Sequence, residues 1–176
     1  MNAAGPPELS RMVKLRPLPA QPLEVSASEA ERTALATRFG LVRIDRLDAA
    51  VDLQEDGKAI RATGTLSADF VQTCAISGDE LPVSVNEGIA FRFVPAGDAP
   101  LQPDMEIELD SAELDEIEYE GEAFDLGEAI AQSLGLAIDP YATGPGADTA
   151  RQEAGITSDD APARPLAEAL AALKKG

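Results

Sequence analysis

The chain has 176 residues, of which 44% are hydrophobic, enough to form one domain of ordinary size with tails and too many for a fully disordered chain. Its formal net charge of -18 is carried by residues 65–176, because residues 1–64 hold as many basic as acidic side chains. A field of this sign repels phosphate backbones and attracts basic partners, although an acidic surface can also serve solubility alone.

The N-terminal sequence and the cysteine content bear on where the protein works. The stretch MNAAGPPELSRMVKLRPLP has no apolar run typical of a secretory signal, and no segment approaches the roughly 20 apolar residues that span a bilayer. A single cysteine excludes an internal disulfide and is compatible with a reducing compartment. We therefore expect a cytoplasmic protein without a membrane segment.

The first part of the chain predicts an extended start and one helix. Residues 1–10 are expected to form a flexible N-terminus, and the prolines that follow favour an extended path such as an edge strand. Either Ser26 or Ser28 can cap a helix over residues 28–39, whose acidic first turn suits the positive end of the helix dipole.

Strand signals fill the middle of the chain. Apolar residues alternate with polar ones, and Glu55-Asp56-Gly57-Lys58 has the composition of a hairpin turn. A second turn, SGDELP, separates two long alternating runs, which predicts an antiparallel pair. The predicted strands cover residues 42–53, 60–71 and 83–94.

The second half predicts an acidic strand region, a helix and a tail. Residues 105–122 alternate acids with apolar side chains, and Asp125 caps a helix over residues 125–137. Residues 141–162 have the composition of a disordered linker. We predict a single α+β domain over residues 11–140, with two helices packed on an antiparallel sheet of about five to seven strands that is either open or barrel-like.

The segment after the linker, residues 163–176, predicts a short amphipathic element. An apolar face after a flexible tether is a common interaction element, and packing back onto the domain is the alternative. Its characteristic residues are Pro165, Leu166, Leu170, Leu173 and Lys174.

The only cysteine, Cys74, lies in the stretch TCAISGDEL, where a cysteine in place of Ser77 would complete half of a zinc site. The chain has no histidine, so it offers neither four zinc ligands nor the usual base of a cysteine nucleophile. The neighbouring Asp79 and Glu80 are expected to raise the pKa of the thiol. We interpret Cys74, Ser77 and Gly78 as a strand end and turn that hold no metal.

Thirteen carboxylates and no Lys or Arg occur in residues 98–128. Because they mostly alternate with apolar residues, we expect them on one exposed strand face. No calcium loop, phosphate loop, dinucleotide fingerprint or nucleophile elbow is present, so we predict no enzyme and no cofactor, with weak divalent binding or carboxylate catalysis as the alternative. The candidate partner-binding residues are Glu106, Glu108, Asp110, Asp115, Glu116, Glu118, Glu120 and Glu122.

Four features follow one another along residues 12–175. They are the cysteine knuckle at 71–83, the acidic strand leading to an Asp-Leu helix start at 117–126, Pro140 after that helix, and the ending at 165–174. Their order resembles the DUF177 family, also called YceD, known as large ribosomal RNA subunit accumulation proteins. The resemblance implies a role without known enzymatic activity in accumulation or processing of 23S rRNA. In many bacteria the family's gene lies beside that of a small basic large-subunit ribosomal protein.

The chain departs from this family at the knuckle. Many members have C-x-x-C there, and some carry further Cys or His after the second helix. Here Ser77 replaces the second cysteine, and the segment LAIDPYATGPGAD has neither ligand type. Any metal-binding capacity of the family knuckle is therefore expected to be absent.

Two hypotheses for function follow. In the first, the acidic face around residues 104–122 binds a basic large-subunit ribosomal protein, or a pre-ribosomal particle that contains it. In the second, the neutral N-terminal half binds rRNA directly. The bases that this alternative requires are Arg11, Lys14, Arg16, Arg43 and Arg46.

Overall fold

The computed structural model describes residues 8–97 and 115–155, which form three helices, a five-stranded sheet and a two-stranded sheet. The α+β class predicted from the sequence is confirmed. The strands are β1 (Met12–Lys14), β2 (Leu23–Ser26), β3 (Arg43–Asp56), β4 (Ala59–Thr73), β5 (Glu80–Pro95), β6 (Asp115–Tyr119) and β7 (Ala123–Asp125). The helices are α1 (Glu29–Phe39), α2 (Leu126–Ala137) and α3 (Ala147–Glu153).

The large sheet has the strand order β2-β3-β4-β5-β6. Its first four strands pair antiparallel, as predicted, but β6 runs parallel to β5, with Ile117 opposite Phe93. A parallel neighbour needs a connection of a dozen or more residues, which residues 96–114 supply. Within the described residues β2 and β6 are open edges, so the barrel-like closure is not formed.

The core lies on one face of the large sheet, beneath α1 and α2. Phe93 of β5 stacks on Phe124 of β7 with ring centroids 4.1 Å apart, and Tyr119 of β6 packs 6.3 Å from Phe124. This aromatic cluster joins the two sheets and supports β6. Buried residues at alternate positions of the long strands include Leu47, Ala49, Val51, Leu53, Leu66, Ala68, Phe70, Phe91 and Phe93.

Both predicted helices are confirmed, and their caps explain where they begin. Ser28 accepts from the backbone N–H of Glu31 while the Glu31 side chain accepts from the Ser28 N–H, a complete capping box for α1. The carboxylate of Asp125 caps α2 by accepting from Gly127 and Glu128. None of the described helices is long and apolar enough to cross a membrane.

The N-terminal residues that the structure describes, which belong to the stretch 1–10 predicted to be flexible, contact the domain. Leu9 is fully buried, and Ser10 donates a 2.7 Å hydrogen bond to Asp125. The chain then enters β1, which pairs with β7 and continues to a 3.0 Å bond from Leu15 N–H to Glu122 C=O. The burial of Leu9 supplies the apolar contact that composition alone did not indicate.

The linker predicted at 141–162 also differs from the structure in its described part. Residues 147–153 form α3, and Ala142 C=O accepts a 2.9 Å bond from Ala75 N–H of the knuckle turn. These backbone bonds hold residues 141–155 on the domain, whereas the rest of the predicted linker and the amphipathic segment at 163–176 lie outside the described residues.

Candidate functional site

Five of the predicted partner-binding acids lie together on β6 and the turn that follows it. We call them the acidic surface. Each of them is exposed. The other three candidates, Glu106, Glu108 and Asp110, lie outside the described residues. The members of the acidic surface are Asp115, Glu116, Glu118, Glu120 and Glu122.

Alternation along β6 separates this acidic surface from the core. Ile117 and Tyr119 are half-buried and pack against the core cluster, so Glu116 and Glu118 lie on the opposite, solvent-facing side. Gly121 adopts a φ of 80°, which a residue with a side chain rarely adopts, and thereby turns the chain from β6 toward β7.

Most of the acidic surface has no cationic partner among the residues that the structure describes. Glu116 forms a 2.7 Å ion pair with Arg92 of β5. Within residues 8–97 and 115–155, no Lys or Arg forms an ion pair with the other four acids. Lys14 and Arg16 line a cavity of about 650 Å³ together with Glu120 and Glu122, but they stay beyond ion-pair distance.

The bases required for direct rRNA binding are largely engaged by carboxylates. Arg11 contacts both carboxylate oxygens of Glu31, at 2.6 and 3.0 Å, and this hydrogen bonding raises the pKa of Arg11. Arg43 contacts Asp45 at 3.1 Å and Glu80 at 3.3 Å. Arg46 contacts Asp69 at 2.7 Å and Asp48 at 3.4 Å. Lys14 and Arg16 are exposed and form no ion pair with the described residues.

The knuckle packs against the segment that follows α2. Cys74 is buried, and its Sγ accepts hydrogen bonds from the backbone N–H of Ser77 at 3.3 Å and of Gly144 at 3.4 Å. Gly78, with a φ of 76°, turns the chain, and Cys74 N–H donates to Asp79 C=O at 2.7 Å. The thiol therefore joins the turn to residue 144.

The prediction that acidic neighbours raise the pKa of Cys74 is wrong. Hydrogen bonding lowers the pKa of the thiol to about 6, chiefly through Ser77 and then through the N–H groups of Gly144 and Ile76. Such donors stabilise the thiolate. The Asp79 carboxylate instead accepts the Ser77 hydroxyl at 2.7 Å.

The part of the chain that the structure describes contains no group of three or more His, Cys, Asp or Glu side chains placed to hold a metal ion. Two residues before Cys74, the buried Gln72 donates to Asp139 C=O at 3.0 Å, while its Oε1 has no partner among the described residues.

Sequence reasoning missed the contact between the knuckle and residues 139–146. The sequence feature that could have revealed this contact is the glycine content of the segment, which was instead interpreted as a disordered linker. A side chain at Gly144 would overlap Leu81, and one at Gly146 would clash with Asp79. These glycines allow close packing of the segment on the turn.

No family model, curated protein or solved structure matches this chain. The resemblance to the DUF177 family therefore stays a prediction that rests on the sequence features given above.

Proposed function

We propose that this protein is a non-catalytic ribosome biogenesis factor that promotes accumulation or processing of 23S rRNA by binding a basic ribosomal protein through its acidic surface in the cytoplasm. The observation that carries the proposal is the group of exposed carboxylates on β6 and its turn that lack cationic partners among the described residues. These carboxylates are Asp115, Glu118, Glu120 and Glu122.

A basic partner is attracted mainly by those acids that are not already paired with a cation. An exposed acid that already has a guanidinium partner offers little to a second cation, because surface ion pairs contribute only about 0–1 kcal/mol. The four acids that have no cationic partner in residues 8–97 and 115–155 exert their field over a range of about 10 Å at 0.1 M salt. They favour fast encounter with a basic protein and disfavour a phosphate backbone. A basic ribosomal protein held in this way is shielded from nonspecific contacts with RNA.

The packing of the knuckle is consistent with the proposed DUF177 membership. In the family that the chain resembles, many members carry C-x-x-C at this turn, and some carry further Cys or His after the second helix. In this chain the same two stretches meet, with Ser77 and Gly144 both donating N–H groups to Cys74. We therefore propose that a thiol held by hydrogen bonds occupies the place of a metal-binding knuckle.

Direct rRNA binding is the second candidate, and Lys14 and Arg16 support it. Both are exposed, and neither is paired with any described acid. The other three bases of that hypothesis are engaged by carboxylates, and Glu120 and Glu122 line the same cavity as Lys14 and Arg16. Phosphate contacts at this place would bring RNA close to two carboxylates, which weakens the candidate relative to the acidic surface.

The test compares a variant that lacks three acids of the acidic surface with a control variant that lacks three acids on other strands. The first variant carries Glu118→Gln, Glu120→Gln and Glu122→Gln. The control carries Glu24→Gln, Asp52→Asn and Glu87→Gln, three exposed acids on other strands. Both variants have the same net charge. Tagged protein is used to recover partners from a lysate at low and high salt, with and without RNase.

We expect the wild type and the control to recover basic ribosomal proteins at low salt, independently of RNase, and to lose them at high salt. The acidic-surface variant should recover several-fold less. Equal recovery by the two variants would show that the acidic surface is not the binding site. Recovery of rRNA that RNase abolishes would favour direct RNA binding instead.

A further inference from the structure

The outer edge of β6 presents backbone groups that no described strand pairs with. Tyr119 C=O accepts a 2.9 Å bond from Ala96 N–H on the side of β5. Backbone groups of successive residues point to opposite sides of a strand, so the N–H and C=O groups of Glu116 and Glu118 point away from β5. No strand among the described residues pairs with that edge. An open edge of this kind is a template for another extended chain.

A cleft with an apolar floor runs beside the same edge. It has a volume of about 320 Å³ and lies between β6, β7 and α2. Its floor is formed by Phe93, Ile117, Phe124 and Ala129, and the exposed Met12 lies at its side. Glu118 and Glu120 stand on its rim. The cleft therefore combines apolar contact with negative charge.

We propose that an extended basic segment of the partner protein adds to β6 as a further strand of the large sheet. Its backbone bonds the outward N–H and C=O groups of Glu116 and Glu118. Alternate Lys or Arg side chains lie over these two acids, and the intervening apolar side chains enter the cleft beside Ile117 and Tyr119. This inference rests on the proposed function, because it describes how the acidic surface engages its partner.

The alternation of β6 selects this kind of occupant. Opposite side chains on neighbouring strands have Cβ atoms about 4.5–5.5 Å apart, so charge and apolarity must match position by position. A second copy of β6 would place acids opposite acids, which disfavours self-association at this edge. A nucleic acid has no backbone N–H to pair with the edge carbonyls and carries the same sign of charge. A segment with alternating basic and apolar residues can bond the strand edge, pair with the acids and fill the apolar cleft.

The test uses synthetic peptides and the full chain. The probe is a capped peptide with the sequence Lys-Val-Lys-Val-Lys-Val. Two further peptides are N-methylated, one on its lysines and the other on its valines, so all three carry the same charge. An added strand directs the N–H groups of one set to β6 and those of the other set to solvent. Binding is measured by NMR titration of the β6 amides.

We expect one of the methylated peptides to bind at least about tenfold more weakly than the parent, and the other to bind within about twofold of it. If both methylated peptides match the parent, contact is electrostatic only and strand addition is wrong, while the proposed function stands. If both are weakened equally, strand addition is also wrong. If even the parent peptide does not bind at low salt, strand addition is wrong, and the acids serve only to prevent pairing at this edge. The lysate experiment then tests the proposed function separately.

Two variants of the protein test strand addition by changing β6 instead of the peptide. Glu118→Gln removes the charge and keeps the outward N–H, whereas Glu118→Pro removes both. Proline is tolerated on edge strands when its position faces solvent, and circular dichroism checks that each variant folds. We expect Glu118→Pro to bind the parent peptide about fivefold more weakly than Glu118→Gln. Equal affinities of two folded variants would overturn the inference.

Discussion

The carboxylate of Asp125 holds together the region that supports the acidic surface. Its Oδ1 accepts from the backbone N–H groups of Arg11 at 2.7 Å, Gly127 at 3.0 Å and Glu128 at 3.3 Å, and its Oδ2 accepts from the Ser10 hydroxyl at 2.7 Å. One side chain thus caps α2 and fixes the strand that pairs with β7. We expect its loss to destabilise the whole domain.

The loss in the free energy of unfolding expected for Asp125→Ala follows from the N–H and hydroxyl groups that lose their acceptor. An N-cap contributes about 1 kcal/mol, and a hydrogen bond to a charged group contributes about 1.5–3 kcal/mol. Because the four bonds share one carboxylate, these values do not add fully. We expect a loss of about 2–4 kcal/mol in the free energy of unfolding, a large part of the roughly 5–15 kcal/mol typical of a domain.

Asp125→Asn is the matched variant. It keeps an acceptor at Oδ1 for the three N–H groups, but it loses the charge near the helix N-terminus and replaces Oδ2, the acceptor of the Ser10 hydroxyl, by an amide NH2. We therefore expect a loss of about 1–2 kcal/mol in the free energy of unfolding. Urea unfolding followed by far-ultraviolet circular dichroism measures both, with the slope m expected to stay constant. The reasoning is refuted if Asp125→Ala lies within about 0.5 kcal/mol of the wild type, or if Asn costs as much as Ala.

Two further predictions concern β4 and the knuckle. Gly64→Ala should lower the free energy of unfolding by about 3 kcal/mol or more, measured by thermal unfolding, because its Cβ would overlap the Ala50 carbonyl. The control Gly88→Ala, whose Cβ has no contact nearer than 4.0 Å, should change the free energy of unfolding by less than about 1 kcal/mol. Equal effects of the two substitutions would contradict this prediction. The Cys74 thiolate, followed by its ultraviolet absorbance, should titrate near pH 6 in the folded chain. Since this pKa lies below the ordinary thiol value of 9.0, the thiolate contributes stability that is fully present above pH 9 and is lost as the pH falls to about 6. Cys74→Ser should remove this dependence, and a thiol that titrates near 9 would contradict it.

Helices α1 and α2 were predictable because their caps are local. Ser28 and Asp125 each bond backbone groups within three residues, so the sequence around them contains the needed information. The direction of β6 was not predictable in the same way. Alternation places Ile117 and Tyr119 toward the core whichever way the strand runs. In the parallel arrangement Ile117 lies opposite Phe93 and Tyr119 packs on Phe124, and neither contact is local in the sequence.

The knuckle and the linker show where composition misleads. Glycine-rich polar stretches usually lack the apolar surface to pack, which predicts disorder at 141–162. Here Gly144 is small because it approaches Leu81 and Cys74, and Gln72 holds the preceding carbonyl of Asp139. A contact across some 70 residues of sequence, such as Gly144 to Cys74, leaves no local pattern.

The distribution of ion pairs changes what the net charge means for a partner. Arg11 lowers the pKa of Glu31 to about 2, and Arg38 binds both carboxylate oxygens of Glu128, so these acids are already committed to the fold. Net charge counts them equally with Glu118, which has no cationic partner among the described residues. Within the described part of the chain, the acids on β6 that have no cationic partner also flank a strand edge that no other strand pairs with. A basic chain attracted by the charge therefore meets backbone groups that it can bond, and the same acids keep a second copy of this chain away from the edge.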